Sequence, residues 1–517
     1  MDKDLQSIQE VRELVTQAKK AQQEFQNFTQ AQVDQVARAM ADAGFRAAES
    51  LAKAAVDDTG FGHYDDKIIK NQFATRDLWN AIKDEKTVGV IHRDHRKRTM
   101  QIAEPMGIVA AIIPTTNPTS TVLNNLIISV KAGNGVVASP HPSAAKCTLA
   151  AVEVLVRAAE KAGAPEGLIG CIRTPSIAGA QHLMTHDDVN VIIATGGRGI
   201  VKAAYSSGKP AYGVGPGNVP AIIERSADVS KAVKDIIAGK TFDNGVICSS
   251  EQAMIYERSI ERQVMLALKN LPVHIVNDSE KEKLRAWMFT HEGKLNGKVV
   301  GLYPWQIGEN SGFKVDPKVR ALLVPIESVG PDEPFSKEKL SPVLAMLPAN
   351  TIKQAFQFGM TMVTMAGIGH TAALHTRDDD VVMEFAHKFP VGRLVVNSPS
   401  VHGSVGYTTE LPPALTLGSG TRSGSITMEN ISAKHLVNVK SLAYETKPLD
   451  KTGPRDSAID RPFQSRKGSS TATEELPPPK PKSTIISNPT PATEKILYGS
   501  SGLTDEEVEK IIRDLNS

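Results

Sequence analysis

Cys248 sits in the run Phe242-Asp243-Asn244-Gly245-Val246-Ile247-Cys248-Ser249-Ser250-Glu251-Gln252, where a nucleophile would be useful. The apolar pair Val246 and Ile247 delivers the thiol to the edge of small polar residues, and Gly245 allows backbone to approach a substrate closely. This reads as a strand end or loop. A thiol reacts as its thiolate, so the setting predicts a lowered pKa, helped by unpaired backbone N–H groups of the following turn. The alternative for any lone cysteine is a small buried hydrophobe.

Positioning such a group requires a scaffold, and 517 residues are too many for one core, which suggests two or three domains. Ile8, Val11, Val15, Ala18 and Phe25 recur at helical spacing, so residues 5–26 read as an amphipathic helix, followed by helical patterns over 30–56 and 66–83. From Gly107 short β-prone runs begin: Ile108–Ile113, Gly135–Ala138, Leu168–Ile172 and Val189–Ala194, with helical segments between them. Alternation of this kind implies a parallel sheet with helices on both faces and ligand binding at the carboxyl ends of its strands. The last of these runs feeds Thr195-Gly196-Gly197 and a helix near Gly199, whose N–H groups suit a pyrophosphate; a plain turn is the other reading. Residues 220–420 read as a second α/β segment.

Charged residues make up 22% of the chain and the formal charge is +2, which argues against a nucleic-acid surface or a membrane-binding face. The three cysteines, Cys147, Cys171 and Cys248, have no metal-ligand spacing and fit a reducing compartment. The charged start, Met1-Asp2-Lys3-Asp4-Leu5, lacks the apolar core of a secretory signal. Residues 92–98 carry a basic cluster that reads as a solvated hairpin face.

The segment Asp243–Gln252, Ile112-Ile113-Pro114-Thr115-Thr116-Asn117-Pro118, Ala194-Thr195-Gly196-Gly197 and Glu338-Lys339-Leu340-Ser341-Pro342-Val343 together resemble the aldehyde dehydrogenase superfamily, specifically its CoA-acylating branch, over residues 1–445. The resemblance implies an α/β fold: a Rossmann-like dinucleotide-binding domain in 1–87 and 107–216, an α/β catalytic domain in 217–425, and a small β oligomerisation element in 88–106 and 426–445, with a homodimer or homotetramer as the assembly. It implies that Cys248 is the nucleophile, that the Asn117 amide and the Cys248 N–H hold the oxyanion, that Glu338 holds the nicotinamide ribose, and that Thr195, Gly196 and Gly197 lie near the pyrophosphate. Without the resemblance, Asn117 is equally a turn residue and Glu338 a surface carboxylate.

Two departures from the family pattern carry information. Hydrolytic members place a water-activating glutamate thirty-four residues before the nucleophile, and Val214 stands at that spacing here. Valine accepts no proton, and base assistance commonly contributes about 10²–10⁴-fold, so a thiol such as coenzyme A is the expected acyl acceptor. His370, in the turn Gly367-Ile368-Gly369-His370, is either a structural histidine or an aid to that thiol. Around the adenosine ribose, where many members carry a lysine and a glutamate, the chain reads Ala138-Ser139-Pro140-His141-Pro142. That makes Ser139 and Pro140 candidate cofactor contacts, leaves the choice between NAD and NADP open with NAD as the expected cofactor, and leaves room for the adenine of coenzyme A.

The expected activity is oxidation of a short aliphatic aldehyde, propionaldehyde or acetaldehyde, to its acyl-CoA. An acyl-phosphate reductase and an inert scaffold are the rivals. Residues 446–499 are proline-rich and read as a solvated linker. In 500–517, Thr504 and Glu507 form a capping box, Leu503 and Val508 a hydrophobic staple, and Val508, Ile511, Ile512 and Leu515 an apolar stripe. Such a tail resembles the encapsulation peptides of bacterial microcompartments, which implies shell proteins as partners, docking of the helix away from its own body, and a place in the microcompartment lumen of the bacterial cytoplasm.

Overall fold

The apolar stripe at Val11, Val15, Ala18 and Phe25 is fully buried along one face of the helix Lys3–Phe25. The computed structural model describes residues 2–447 together with 504, 506, 507 and 510–512. A second helix, Gln30–Arg46, starts on a capping box in which Thr29 and Gln32 satisfy each other's backbone N–H groups. The expected helix over 30–56 divides at Ala47, which leaves helical dihedrals at φ −81°, ψ 1° before Ala48–Thr59 resumes. The expected helix over 66–83 begins at Tyr64 and is interrupted by a π turn at Phe73–Asp77.

A hairpin follows, β1 (Gly89–Asp94) and β2 (Thr99–Pro105), with β1 largely exposed. Next come β3 (Ile108–Ile112), β4 (Gly135–Ser139), β5 (Ile169–Cys171), β6 (Val191–Thr195) and β7 (Ala211–Val214). They form one parallel sheet in the order β5-β4-β3-β6-β7. Every residue of β3 and β4 is buried, because helices cover both faces, and this is why these strands read as unbroken apolar runs. Strand order reverses beside β3, where Ile112 pairs with Ser139 on one side and Ala194 on the other. A crevice at the carboxyl end of such a sheet is the usual place for a ligand.

The second sheet holds β8 (Val219–Ile223), β9 (Glu251–Glu257), β10 (Val273–Ile275), β11 (Ala321–Pro325), β12 (Val343–Ala349), β13 (Gly369–His375) and β14 (Val391–Val396), in the order β10-β11-β12-β9-β8-β13-β14 and again parallel. Its core gathers Phe335, Phe356, Phe385 and Phe389. The last strand, β15 (Val437–Ala443), returns to pair antiparallel with β2 and completes a three-stranded sheet. This is the α/β architecture, two parallel sheets and a small antiparallel one, that the motifs led one to expect.

Of the linker expected over 446–499, residues 448–499 lie outside the described residues, as do Leu503 and Val508 of the staple. The capping box is present: the Thr504 N–H donates to Glu507 Oε2 at 2.6 Å and the Glu507 N–H to Thr504 Oγ1 at 3.2 Å. The expectation that this helix docks elsewhere meets a different arrangement. Ile511 and Ile512 are buried in the apolar cluster that also holds Leu155, Ala158 and Ala159 of the helix Ala145–Lys161. Lys161 Nζ lies 3.4 Å from Glu507 Oε2. Two adjacent isoleucines on a short helix need an apolar surface, and the chain's own body supplies one. Among the described residues, no helix is long and apolar enough to cross a membrane, and no cluster of His, Cys, Asp or Glu could hold a metal ion.

Candidate active site

The segment before Cys248 is shaped by two consecutive left-handed residues, Asp243 (φ 49°, ψ 40°) and Asn244 (φ 51°, ψ 33°). Aspartate and asparagine tolerate that region better than other non-glycine residues, and the conformation persists only when its surroundings hold it. They do so here. The Asp243 carboxylate accepts from the His63 N–H at 2.7 Å, from Lys67 Nζ at 3.1 Å and from Lys70 Nζ, while Asn244 Nδ2 donates to Gly301 O at 3.0 Å. Gly245, at φ 70°, could not carry a side chain, since a Cβ would fall 2.6 Å from Ser341 O. The Cys248 segment therefore packs directly on the loop that follows Glu338. A turn closed by the Ser250 N–H and Ile247 O at 2.9 Å leads into β9, so the thiol sits between a 3₁₀ turn and a strand.

The N–H groups of Cys248 and Ser249 do act on the sulfur and favour the thiolate. They are outweighed. Burial, and then the nearby Glu338 carboxylate, push the Cys248 thiol up to about 12, against the pull of Arg393. The expected lowered pKa is thus corrected for the protein without ligands: an anion beside a desolvated thiol keeps it protonated, even though Cys248 as a residue retains partial exposure.

Glu338 Oε1 accepts the Gly217 N–H at 3.0 Å. Burial raises its carboxyl to about 7, opposed by that N–H and by Lys240 and Lys339. Gly217 is wedged against the nucleophile: a Cβ there would lie 1.9 Å from Cys248 O and 3.5 Å from His370 Cγ. The loop 213–218 is what couples these groups. His370 is buried, its Nδ1 lies 3.0 Å from Thr371 Oγ1, and its Nε2 has no partner. Burial and Arg393 depress it to about 3, so it is neutral. Arg393, almost wholly buried, donates to His370 O at 2.6 Å and Met428 O at 2.9 Å, and it is the cation that acts on the sulfur.

The second group of residues lies at the carboxyl edge of the first sheet. Thr195 ends β6, Gly197 caps the helix Arg198–Tyr205, and Ser139 ends β4 with Pro140 buried behind it. Thr195 Oγ1 is buried without a hydrogen-bond partner, and a Cβ built at Gly197 or Gly199 would meet nothing within 4 Å. Open space, a free hydroxyl and a helix N-terminus fit the phosphates of a dinucleotide. Arg198, in the first turn of that helix, is near enough to lower the Glu338 pKa, so the two groups of residues face one site.

Asn117 heads the helix Pro118–Lys131 at the same edge. Its Oδ1 accepts from Lys70 Nζ at 2.6 Å and its Nδ2 donates to Thr116 Oγ1 at 3.0 Å. Through Lys70 and Asp243 it is joined to the Cys248 segment. Val214, at the end of β7 three residues before Gly217, is buried in a cluster with Phe73, Val405 and Leu417. Sequence reading missed Lys70, Asp243, Gly217 and Arg393. Lys67 and Lys70 lie one helical turn apart, but nothing in the sequence marks Asp243 as their partner.

Residues 4–408 match the aldehyde dehydrogenase family. The bifunctional aldehyde-alcohol dehydrogenase of Escherichia coli K12 is 43% identical over 442 residues, 84% of this chain and 50% of that one. The chain thus spans about half the length of the curated relatives it matches first. An acetylating aldehyde dehydrogenase from Geobacillus thermoglucosidasius superposes with a TM-score of 0.86 at 46% identity, over 87% of this chain and 100% of that one. A propionaldehyde dehydrogenase from the Clostridium phytofermentans fucose-utilisation microcompartment gives 0.76 at 28% identity, over 84% and 97%. The Rhodopseudomonas palustris propionaldehyde dehydrogenase with bound CoA and an acylated cysteine gives 0.74 at 29%, over 84% and 97%. The chain belongs to the aldehyde dehydrogenase family.

Proposed function

We propose that this chain is a CoA-acylating aldehyde dehydrogenase that takes a short aliphatic aldehyde, propionaldehyde or acetaldehyde, with NAD+ preferred over NADP+. The observation that carries this reading is Val214, packed against Phe73, Val405 and Leu417 where a hydrolytic relative would activate water. Four apolar side chains offer no proton acceptor and no polar partner for water.

Cys248, as thiolate, attacks the aldehyde carbon and forms a C–S bond. The carbonyl oxygen becomes an oxyanion, held by the Asn117 Nδ2 and the Cys248 N–H. When bound, the dinucleotide would supply the hydride acceptor, with Glu338 on the nicotinamide ribose, Thr195, Gly196 and Gly197 near the pyrophosphate, and Ser139 and Pro140 beside the adenosine ribose. Loss of that hydride leaves an acyl thioester on Cys248. The CoA sulfur then attacks the acyl carbon, and the Cys248–acyl bond breaks to return the thiolate. Two groups packed on Gly217 are available for the thiol protons. Glu338, near 7, is matched to neutrality, whereas His370, near 3, accepts a proton only fleetingly.

The tail belongs to the same proposal: residues 500–517 engage microcompartment shell proteins, and a homodimer or homotetramer is carried in the lumen. Docking of Ile511 and Ile512 on the body means that a shell protein must displace that contact. NADH formation from propionaldehyde with and without CoA tests the activity. Sustained turnover only with CoA is expected; turnover indifferent to CoA would remove the reading, and dependence on phosphate instead would favour an acyl-phosphate reductase.

A further inference from the structure

A primary amide is nearly symmetric in shape but not in chemistry: its oxygen only accepts and its NH₂ only donates, so rotating it by half a turn reverses what it offers. An ammonium offers three donors and no acceptor. Lys70 Nζ stands 2.6 Å from the Asn117 side-chain oxygen, a contact compatible with one of the two amide orientations only. In that orientation the NH₂ faces away from Lys70. One of its hydrogens goes to Thr116 Oγ1 at 3.0 Å, and the other remains to donate.

The helix start supplies a second, independent observation. Asparagine capping the start of a helix ordinarily turns its side-chain oxygen onto an N–H of the first turn, which stabilises the helix. Asn117 occupies that position at the head of Pro118–Lys131 and makes no such bond. Its oxygen is committed to Lys70 instead. Lys70 in turn is 4% exposed and bonds to Asp243, on the segment that ends in Cys248. Lys67 contacts the same Asp243 oxygen at 3.1 Å, and the half-buried Asp66 accepts the Asp243 N–H at 2.8 Å. One carboxylate thus receives two buried ammoniums, more than a simple ion pair requires, and the extra one is the one that reaches Asn117.

We infer that Lys70 is a positioning residue that locks the Asn117 amide with its NH₂ towards the reacting carbonyl, and that Asp243 holds Lys70 there so that oxyanion donor and nucleophile are set by one network. This rests on the reading of Asn117 as the oxyanion donor given above.

The test compares K70M, K70Q, N117A and the double variant K70M/N117A in the full-length protein, by the rate of the first NADH burst, by KM for the aldehyde, and by thermal melting. Losing an oxyanion donor typically slows turnover about 10²–10³-fold, and an amide left free to turn should lose about 10–100-fold. K70M is expected to slow the burst by that amount with KM within about threefold, and the double variant to be no slower than N117A alone, since both act through one amide. K70Q, which keeps an N–H donor, should recover part of the rate. A K70M burst within twofold of the parent while N117A is slow overturns the role of Lys70 alone. Losses that multiply in the double variant overturn it as well, because Lys70 would then act elsewhere. A normal burst in N117A removes the oxyanion reading and this inference with it. Should K70M fail to fold, K70Q decides by the same two criteria: slowing that disappears in the N117A background supports the role, and slowing that multiplies overturns it.

Discussion

The two sides of the Cys248 segment differ in kind. On one, Val214, Phe73, Val405 and Leu417 close an apolar cluster; on the other, Lys67, Lys70, Asp243, Lys240 and Glu251 are buried together with their charges or their protons, and Glu338 lies half-buried beside them. Packing alone would favour the first everywhere, since buried ion pairs rarely add net stability over apolar side chains. On the proposed mechanism, charge is retained where a thiol, an oxyanion and a cofactor must be aligned, and it is absent where water would have to be activated. The difference amounts to a choice of acyl acceptor built into side-chain chemistry.

The largest expected effect comes from removing the group both sides serve. Cys248→Ala should lower turnover by about 10⁴-fold or more with aldehyde binding retained, as read by NADH formation and by ligand-induced thermal shift. On the charged side, Asn117→Ala should slow the burst about 10²–10³-fold while melting stays near the parent. Carrying charge across to the apolar side should break the contrast. Val214→Glu places an unpaired carboxylate among Phe73, Val405 and Leu417, and a loss of about 3–5 kcal/mol in denaturant unfolding is expected, together with a measurable rate of free acid release.

A smaller effect is linked to pH. The Glu338 carboxyl titrates near 7 when folded against an ordinary value of 4.5, so the folded protein binds more protons than the unfolded chain between those values. The contribution of this group is fully present below 4.5 and falls as pH rises through 7. Glu338→Gln keeps an oxygen for the Gly217 N–H without the charge, so it should be more stable than the parent by about 1–2 kcal/mol at pH 8 and equal to it near pH 4.5. Unfolding measured at both pH values checks the sign. The smallest effect is expected for deletion of residues 500–517: turnover within about twofold, and a melting temperature lower by about 2 °C for the loss of two buried isoleucines.

Much of this contrast could be read from the chain. Unbroken apolar runs such as Ile108–Ile112 announced a parallel sheet, and Val214 was legible by its spacing from Cys248. The pKa of Cys248 was not, because it is set by burial and then by Glu338, ninety residues away and brought close only by folding. Lys70 and Asp243 were equally hidden, since a lysine in a charged helical stretch gives no sign that its partner is a distant aspartate in a left-handed turn. The terminal helix was legible as a helix through Thr504 and Glu507, but the surface it covers lies on Ala145–Lys161, and an apolar stripe does not name its complement.

The central claim is that the acyl group on Cys248 waits for a thiol. Rapid mixing of enzyme, NAD+ and propionaldehyde without CoA measures this most directly, with NADH and free propionate followed separately. One equivalent of NADH per active site, followed by a stall that CoA relieves, is the expected result. Propionate released at the full turnover rate before any thiol is added would contradict it.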